Sequence, residues 1–138
     1  MTYDPSNILA KILRGEIPSH KVYEDDTALV IMDIFPQSRG HTLIMPKASS
    51  RNLLDADPSV LAKLMPLVQR VALAVQKATQ ADGIQLAQFN EAAGGQTVFH
   101  LHFHVIPAYK GAALAAHAGG KADDAELAEL AKAISSEL

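Results

Sequence analysis

The chain predicts a single α+β domain, a mainly antiparallel five-stranded sheet with helices packed on it. Three observations carry this reading. Five short stretches rich in β-branched and apolar residues, each bounded by turn formers or proline, read as strands. The run 57–80 repeats apolar residues at helical spacing, and shorter amphipathic segments stand near each end of the chain. With 138 residues, no internal repeat and no linker-like composition, the chain fits one domain (1–138) able to bury its own core. The order helix, three strands, helix, two strands, helix is an α+β order.

Residues 6–14 predict a short amphipathic helix, capped by Ser6 or Asn7, with Ile8, Leu9 and Ile12 inward and Gly15 as its stop. Pro18 resets the backbone before strands at 20–24 and 28–33, joined by the turn formers Asp25-Asp26-Thr27. The second of these, Ala-Leu-Val-Ile-Met, is continuously apolar and should lie centrally in the sheet. Residues 33–40 read as a loop ended by Gly40, and 41–46 as a strand stopped by Pro46. A short helical turn at 50–55 precedes the longest helix, which begins at Asp57 with Pro58 in the favoured first position. Leu61, Leu64, Val68, Val71, Ala72 and Val75 recur on one side of it, and Asp82-Gly83 ends it. Pro66, inside the run, predicts a kink or a break. Residues 85–89 should pair antiparallel with a strand at 99–107 through the loop 90–97. The Ala/Gly-rich segment 111–122 has little to pack and is expected to be flexible. Asp123 and Asp124 can cap a last helix, 123–137, with Leu127, Leu130, Ala131 and Ile134 inward.

Composition narrows the function classes. A net charge of −3 gives no basic field, which argues against nucleic-acid binding by phosphate neutralisation. The absence of cysteine removes disulfides and Cys-ligated zinc. No signal pattern and no apolar run approaching membrane-spanning length is read in the sequence, so the expectation is a soluble cytoplasmic protein without a membrane partner.

The chemistry concentrates in Phe99-His100-Leu101-His102-Phe103-His104-Val105-Ile106-Pro107. In an extended strand the three histidines share one face, spread over roughly 13 Å, while the apolar residues between them face a core. Three imidazoles side by side suit metal binding, with His41 or His20 as a further ligand, or covalent catalysis by one ring that its neighbours orient. Residue types alone do not separate these two. The preceding Gly94-Gly95-Gln96-Thr97 tips the choice toward phosphate. Glycine permits close approach of a ligand, backbone N–H groups there can form an anion nest, and the Gln96 amide and Thr97 hydroxyl are donors.

His100-Leu101-His102-Phe103-His104-Val105-Ile106 resembles the His-x-His-x-His-x-x signature of the histidine triad (HIT) nucleotide-binding hydrolases and transferases. Gly15-Glu16-Ile17-Pro18, Val22-Tyr23-Glu24-Asp25, Asp33-Ile34, Gly40-His41-Thr42-Leu43-Ile44-Met45-Pro46-Lys47 and Gly95-Gln96-Thr97-Val98-Phe99 extend the likeness in register, most closely toward the small bacterial histidine-triad nucleotide-binding proteins. The resemblance implies a HIT-like fold, a homodimer, a purine nucleotide substrate and no cofactor. It implies that His102 attacks the α-phosphorus, forming a nucleotidyl-histidine that water hydrolyses. His104 would contact the phosphate, His100 would orient His102 through its carbonyl, and His41 would complete the network. Gly95, Gln96, Thr97 and Asn90 would lie on the phosphate side and Asp33 on the ribose hydroxyls, since a carboxylate has acceptor oxygens for both donors of a diol. Ile8, Ile12, Met32 and Ile34 would form the purine slot.

Two departures matter. The N-terminal Cys pair that binds zinc in some relatives is missing, so no metal is expected. Ala108 stands where many similar sequences carry Arg, which bears on contacts to distal phosphates. Two rival readings stand beside the phosphoramidase or dinucleoside-polyphosphate hydrolase: a non-catalytic nucleotide sensor, and a hydrolase with histidine-ligated metal.

Overall fold

A computed structural model describes residues 2–116 and 119–138. The elements run α1 (Ile8–Leu13), β1 (Lys21–Glu24), β2 (Ala28–Met32), β3 (Thr42–Pro46), α2 (Pro58–Thr79), β4 (Gly83–Ala87), β5 (Phe103–Ala108) and α3 (Asp124–Ser136). All five strands join one sheet in the order β1-β2-β3-β5-β4, each neighbour antiparallel.

The two faces of the sheet are covered unequally. On one, Val30, Ile44, Phe103 and Val105 pack with Leu64, Val68, Val71 and Val75 of α2 and with Leu127, Leu130 and Ile134 of α3. On the other, Leu29, Ile31, Leu43 and Met45 meet Leu9 of the short α1, with Ile12, Leu13 and Val98 packed at the margin. β2 is buried along its whole length, as its unbroken apolar run requires. Asn7 caps α1 by accepting from Ala10 N, and Asp57 caps α2 by accepting from Ser59 N.

Several boundaries differ from the sequence expectation, each for a local reason. α2 runs through Pro66 without a break. Proline there removes one intrahelical bond to the carbonyl of Ala62, and both residues lie on the exposed side, where solvent can replace that bond. By length and composition α2 is apolar enough to cross a membrane, contrary to the reading of no such run, but its apolar stripe fills the core described above. β4 starts at Gly83 and pairs with Ala108, so Gln88 and Phe89 fall in the following loop.

The last strand begins only at Phe103, so His100 and His102 precede it. Its pairing with β3 stops at Phe103 opposite Ile44. Beyond that point Pro46 has no N–H to offer, and its carbonyl is taken by the His100 ring at 2.8 Å. The alternation survives nonetheless, because Leu101, Phe103 and Val105 all enter the α2-side core.

The segment expected to be flexible carries no helix or strand at 112–116 or 119–123, while residues 117 and 118 lie outside the described part. It folds back on the 34–37 loop through Ala115 N to Gln37 O at 2.8 Å and Ala122 N to Ile34 O at 2.9 Å.

Candidate active site

On the thinly covered face a cleft of about 250 Å³ opens beside α1. Ile8, Leu9 and Ile12 form one apolar wall, and Ile31, Met32 and Leu43 of the sheet form another. Ile34, Phe35 and Val98 close it from the loops, and Asp33, Thr97, His102 and His104 supply its polar groups. Eight of the residues singled out in the sequence thus share one cleft, while His41, His100, Gly95, Gln96 and Asn90 do not line it.

Hydrogen bonds to backbone groups of known polarity assign the protons of the histidines. Gln37 N–H donates to His41 Nδ1 at 3.0 Å. An amide nitrogen only donates, so Nδ1 accepts and neutral His41 carries its hydrogen on Nε2. That N–H meets His104 Nδ1 at 2.9 Å, closer than Asp33 Oδ2 at 3.4 Å. His104 Nδ1 is therefore an acceptor, and the ring keeps its hydrogen on Nε2. His102 is the opposite case. Its Nδ1 lies 2.6 Å from the carbonyl oxygen of His100, which only accepts, so Nδ1 holds the hydrogen and Nε2 is the basic nitrogen. Two rings with centroids 4.9 Å apart thus offer complementary atoms, a nucleophilic nitrogen on His102 and an N–H donor on His104.

His100 is fully buried behind this pair. Burial pushes its pKa below the usual histidine value, which favours the neutral ring. Its Nε2–H donates to Pro46 O, and Nδ1 accepts from Tyr3 Oη at 2.6 Å. Asp33 closes the mouth of the β2–β3 loop, its N–H donating to His41 O at 3.0 Å. Its Oδ1 accepts from Phe35 N at 2.8 Å, which leaves lone pairs on both carboxylate oxygens for further donors.

The loop before the histidines is built differently from the expectation. The N–H groups of Gly94, Gly95 and Gln96 all donate within the loop, to Glu91 O, Ala92 O and Glu91 O, so they form no anion nest. The Gln96 amide is also consumed: its oxygen accepts from Asn52 Nδ2 and Glu91 N, and its nitrogen donates to Arg51 O and Val98 O. It therefore holds the loop rather than phosphate. Asn90 exchanges hydrogen bonds with the Gln88 amide and accepts from Leu53 N. Gly95 has φ +99°, and a Cβ there would press on Phe89 at 3.3 Å, so it serves the turn and the Phe89 ring beside His104. Of the expected phosphate-side residues in this loop, Thr97 alone lines the cleft.

Glu91 has φ 66° and ψ 160°, a backbone region suited to glycine. Arg51 holds it with two bonds, Nε to Oε2 at 2.7 Å and Nη2 to Oε1 at 3.0 Å, and Asn52 Nδ2 adds a third at 2.6 Å. The Arg51 guanidinium keeps the Glu91 carboxyl below its ordinary pKa. Nothing local in the sequence marks this brace, since its halves are far apart in the chain. Ile17, Pro18 and Ser19 also line the cleft and were not singled out, although the Gly-Glu-Ile-Pro motif that includes two of them was legible.

Metal binding has one candidate group among the described residues, Asp33, His41 and His104, with ligand atoms within 4.8 Å of one another. His20 is not part of it and faces Asp124 at 3.2 Å. The shared hydrogen between His41 and His104 already gives these two nitrogens a donor–acceptor pairing.

A family model described as the HIT domain matches residues 14–111. The chain belongs to the HIT family. This HIT protein is 45% identical over 100 residues to the adenylylsulfatase HINT3 of Arabidopsis thaliana, covering 72% of this chain and 51% of the plant protein. It is 36% identical over 102 residues to Protein hit of Bacillus subtilis, covering 74% and 70% of the two chains. Among solved structures, a Hit-like protein involved in cell-cycle regulation from Bartonella henselae superposes with TM-score 0.92 at 52% identity, covering 99% of this chain and 100% of that one. A hypothetical histidine triad nucleotide-binding protein of Sulfolobus tokodaii superposes with TM-score 0.85 at 34% identity, covering 92% and 88%. The five-stranded antiparallel sheet with its helices is thus the fold of this HIT protein's structural neighbours.

Proposed function

We propose that this HIT protein is a nucleotide hydrolase acting at the α-phosphate of purine nucleoside phosphoramidates or dinucleoside polyphosphates. The observation that carries the reading is the pair of contacts that assign the two cleft histidines opposite tautomers, His102 Nδ1 on the His100 carbonyl oxygen and His104 Nδ1 on His41 Nε2. His102 Nε2 attacks phosphorus, forming a P–N bond as the bond to the leaving amine or phosphate breaks. The leaving group departs with the electron pair, and where it is an amine it takes up a proton from solvent. Water then attacks the nucleotidyl-histidine, its hydroxyl joining phosphorus and its other proton passing to solvent, as the P–N bond breaks and its electron pair returns to Nε2 of neutral His102. His104 Nε2–H donates to the phosphoryl oxygens as charge grows on them, and His41 holds that ring in its tautomer. Asp33 takes the ribose hydroxyls, Thr97 a phosphate oxygen, and Ile8, Ile12, Met32 and Ile34 the purine. In the homodimer of this reading, two copies pair through β4, which stands at an edge of the sheet, and through the exposed Met65 and Leu73 of α2.

The test is a panel of adenosine and guanosine phosphoramidates, dinucleoside polyphosphates and adenylyl sulfate, run on purified protein before and after chelation. The expected result is turnover that survives chelation, falls as pH drops through the histidine range, and vanishes in His102→Asn while AMP still binds. No turnover on any member, with AMP bound, would make the protein a nucleotide sensor. Turnover lost on chelation and restored by zinc would place an ion at Asp33, His41 and His104.

A further inference from the structure

We propose that Tyr3, in the arm before α1, is a positioning residue for His102, acting through His100. This rests on the reading of His102 as nucleophile. Tyr3 lies outside the stretch that matches the HIT family model. The Nδ1–H tautomer of His102 is held by the carbonyl oxygen of His100, which accepts from its Nδ1 at 2.6 Å. That carbonyl belongs to a stretch that no strand ladder holds, since β5 begins at Phe103. Two things hold it instead. Leu101 N donates to Ser50 O at 2.9 Å, and the His100 ring is fastened at both nitrogens.

The two ring bonds reach different parts of the chain. Nε2–H donates to Pro46 O at the end of β3, at 2.8 Å. Nδ1 accepts from the Tyr3 hydroxyl at 2.6 Å, with the two rings edge-on and their centroids 5.6 Å apart. Because His100 is fully buried, its Nδ1 without a donor would be left unsatisfied away from water. The ring would then turn or draw in solvent, and His100, whose carbonyl orients His102, would lose one of its anchors, leaving the Leu101 N–H bond to Ser50 O to hold that peptide. The arm is itself fastened beside this contact: Thr2 O accepts from Arg51 Nη1 at 3.2 Å. Arg51 is the residue that braces Glu91 in the loop before the histidines. Tyr3 thus links the arm to the support of the nucleophile, without touching the cleft.

The test compares wild type with Tyr3→Phe, which keeps the ring and removes only the hydroxyl, and with Tyr3→Ala. Imidazole nitrogen NMR on the 138-residue chain reads the tautomers of His100 and His102 directly. Steady-state kinetics on an adenosine phosphoramidate reads their consequence. In Tyr3→Phe the expected result is a moved His100 Nδ1 resonance, a mixed tautomer signal at His102, and kcat lowered roughly ten-fold, the size of one lost hydrogen bond. KM and the thermal midpoint should stay near the wild-type values. Unchanged nitrogen resonances at His102 in Tyr3→Phe would overturn the proposal, as would kcat equal to wild type. A fall in the midpoint with kcat and KM moving together would also overturn it, by making Tyr3 a purely structural anchor. If wild type turns over no substrate, the hydrolase reading fails by itself, and the resonances still decide whether Tyr3 sets the His102 tautomer. If Tyr3→Ala does not fold, Tyr3→Phe carries the decision alone.

Discussion

At the scale of single residues, the site separates groups that meet the cleft from groups that hold those groups still, and the two kinds respond differently to substitution. Gln96 and Thr97 are neighbours in sequence but belong to different kinds. Gln96→Ala deletes a buried amide that makes four hydrogen bonds and leaves Asn52 Nδ2 and Glu91 N without one of their acceptors. It should cost about 2–4 kcal/mol of stability, read as a lower urea midpoint at constant slope. Thr97→Ala should stay within about 0.5 kcal/mol of wild type and act on KM instead. Equal midpoints for the two variants would contradict this division. The sequence makes Gln96 conspicuous, beside Gly95 and ahead of the histidines, but not its direction. That direction is set by Asn52 and Arg51, on a distant loop that only the fold brings near. The histidines were more legible because their period of two carries orientation within itself, although the ladder holds only the last of them.

At the scale of elements, two local conflicts can be tested. Pro66 sits inside α2 with its side chain exposed. Pro66→Ala restores an intrahelical hydrogen bond against a smaller loss of unfolded-state restraint, and should stabilise the protein by about 2 kcal/mol. A destabilised variant would mean that the proline makes a contact worth more than the missing bond. The β1–β2 turn rests on Asp25, whose Oδ1 accepts from Thr27 N and Ala28 N, both at 2.8 Å, and whose Oδ2 accepts from the Tyr23 hydroxyl at 2.9 Å. These bonds, the Thr27 backbone first, hold its pKa down to about 2 from 3.8. A carboxyl with a depressed folded pKa contributes fully above the unfolded value and loses that contribution as pH falls toward the folded one. The stability gap between wild type and Asp25→Ala should therefore be constant from pH 7 to about 4 and close between about 4 and 2. A gap unchanged at pH 2 would show that the carboxylate form is not what matters. The Asp-Asp-Thr turn was legible from its residue types. The unbroken course of α2 was not, because whether a proline breaks a helix depends on what serves the freed carbonyl.

At the scale of the whole molecule, the order of elements followed from periodicity and turn chemistry, and the sheet order closes β5 between β3 and β4. What periodicity does not contain is how thickly each sheet face is clothed. α2 and α3 cover one side, while α1, six residues long, covers part of the other. Apolar residues of the sheet, Ile31, Met32 and Leu43 among them, consequently form a wall of the cleft. A purine lying against them would act as a partial third layer, so ligand affinity and fold stability draw on the same apolar surface. AMP at a hundred times its dissociation constant should then add about 2.7 kcal/mol to the unfolding free energy. His102→Asn, which leaves that wall intact, should keep the increment after losing turnover. On this view the substrate is briefly part of the architecture, and each product release returns the protein to its less stable form.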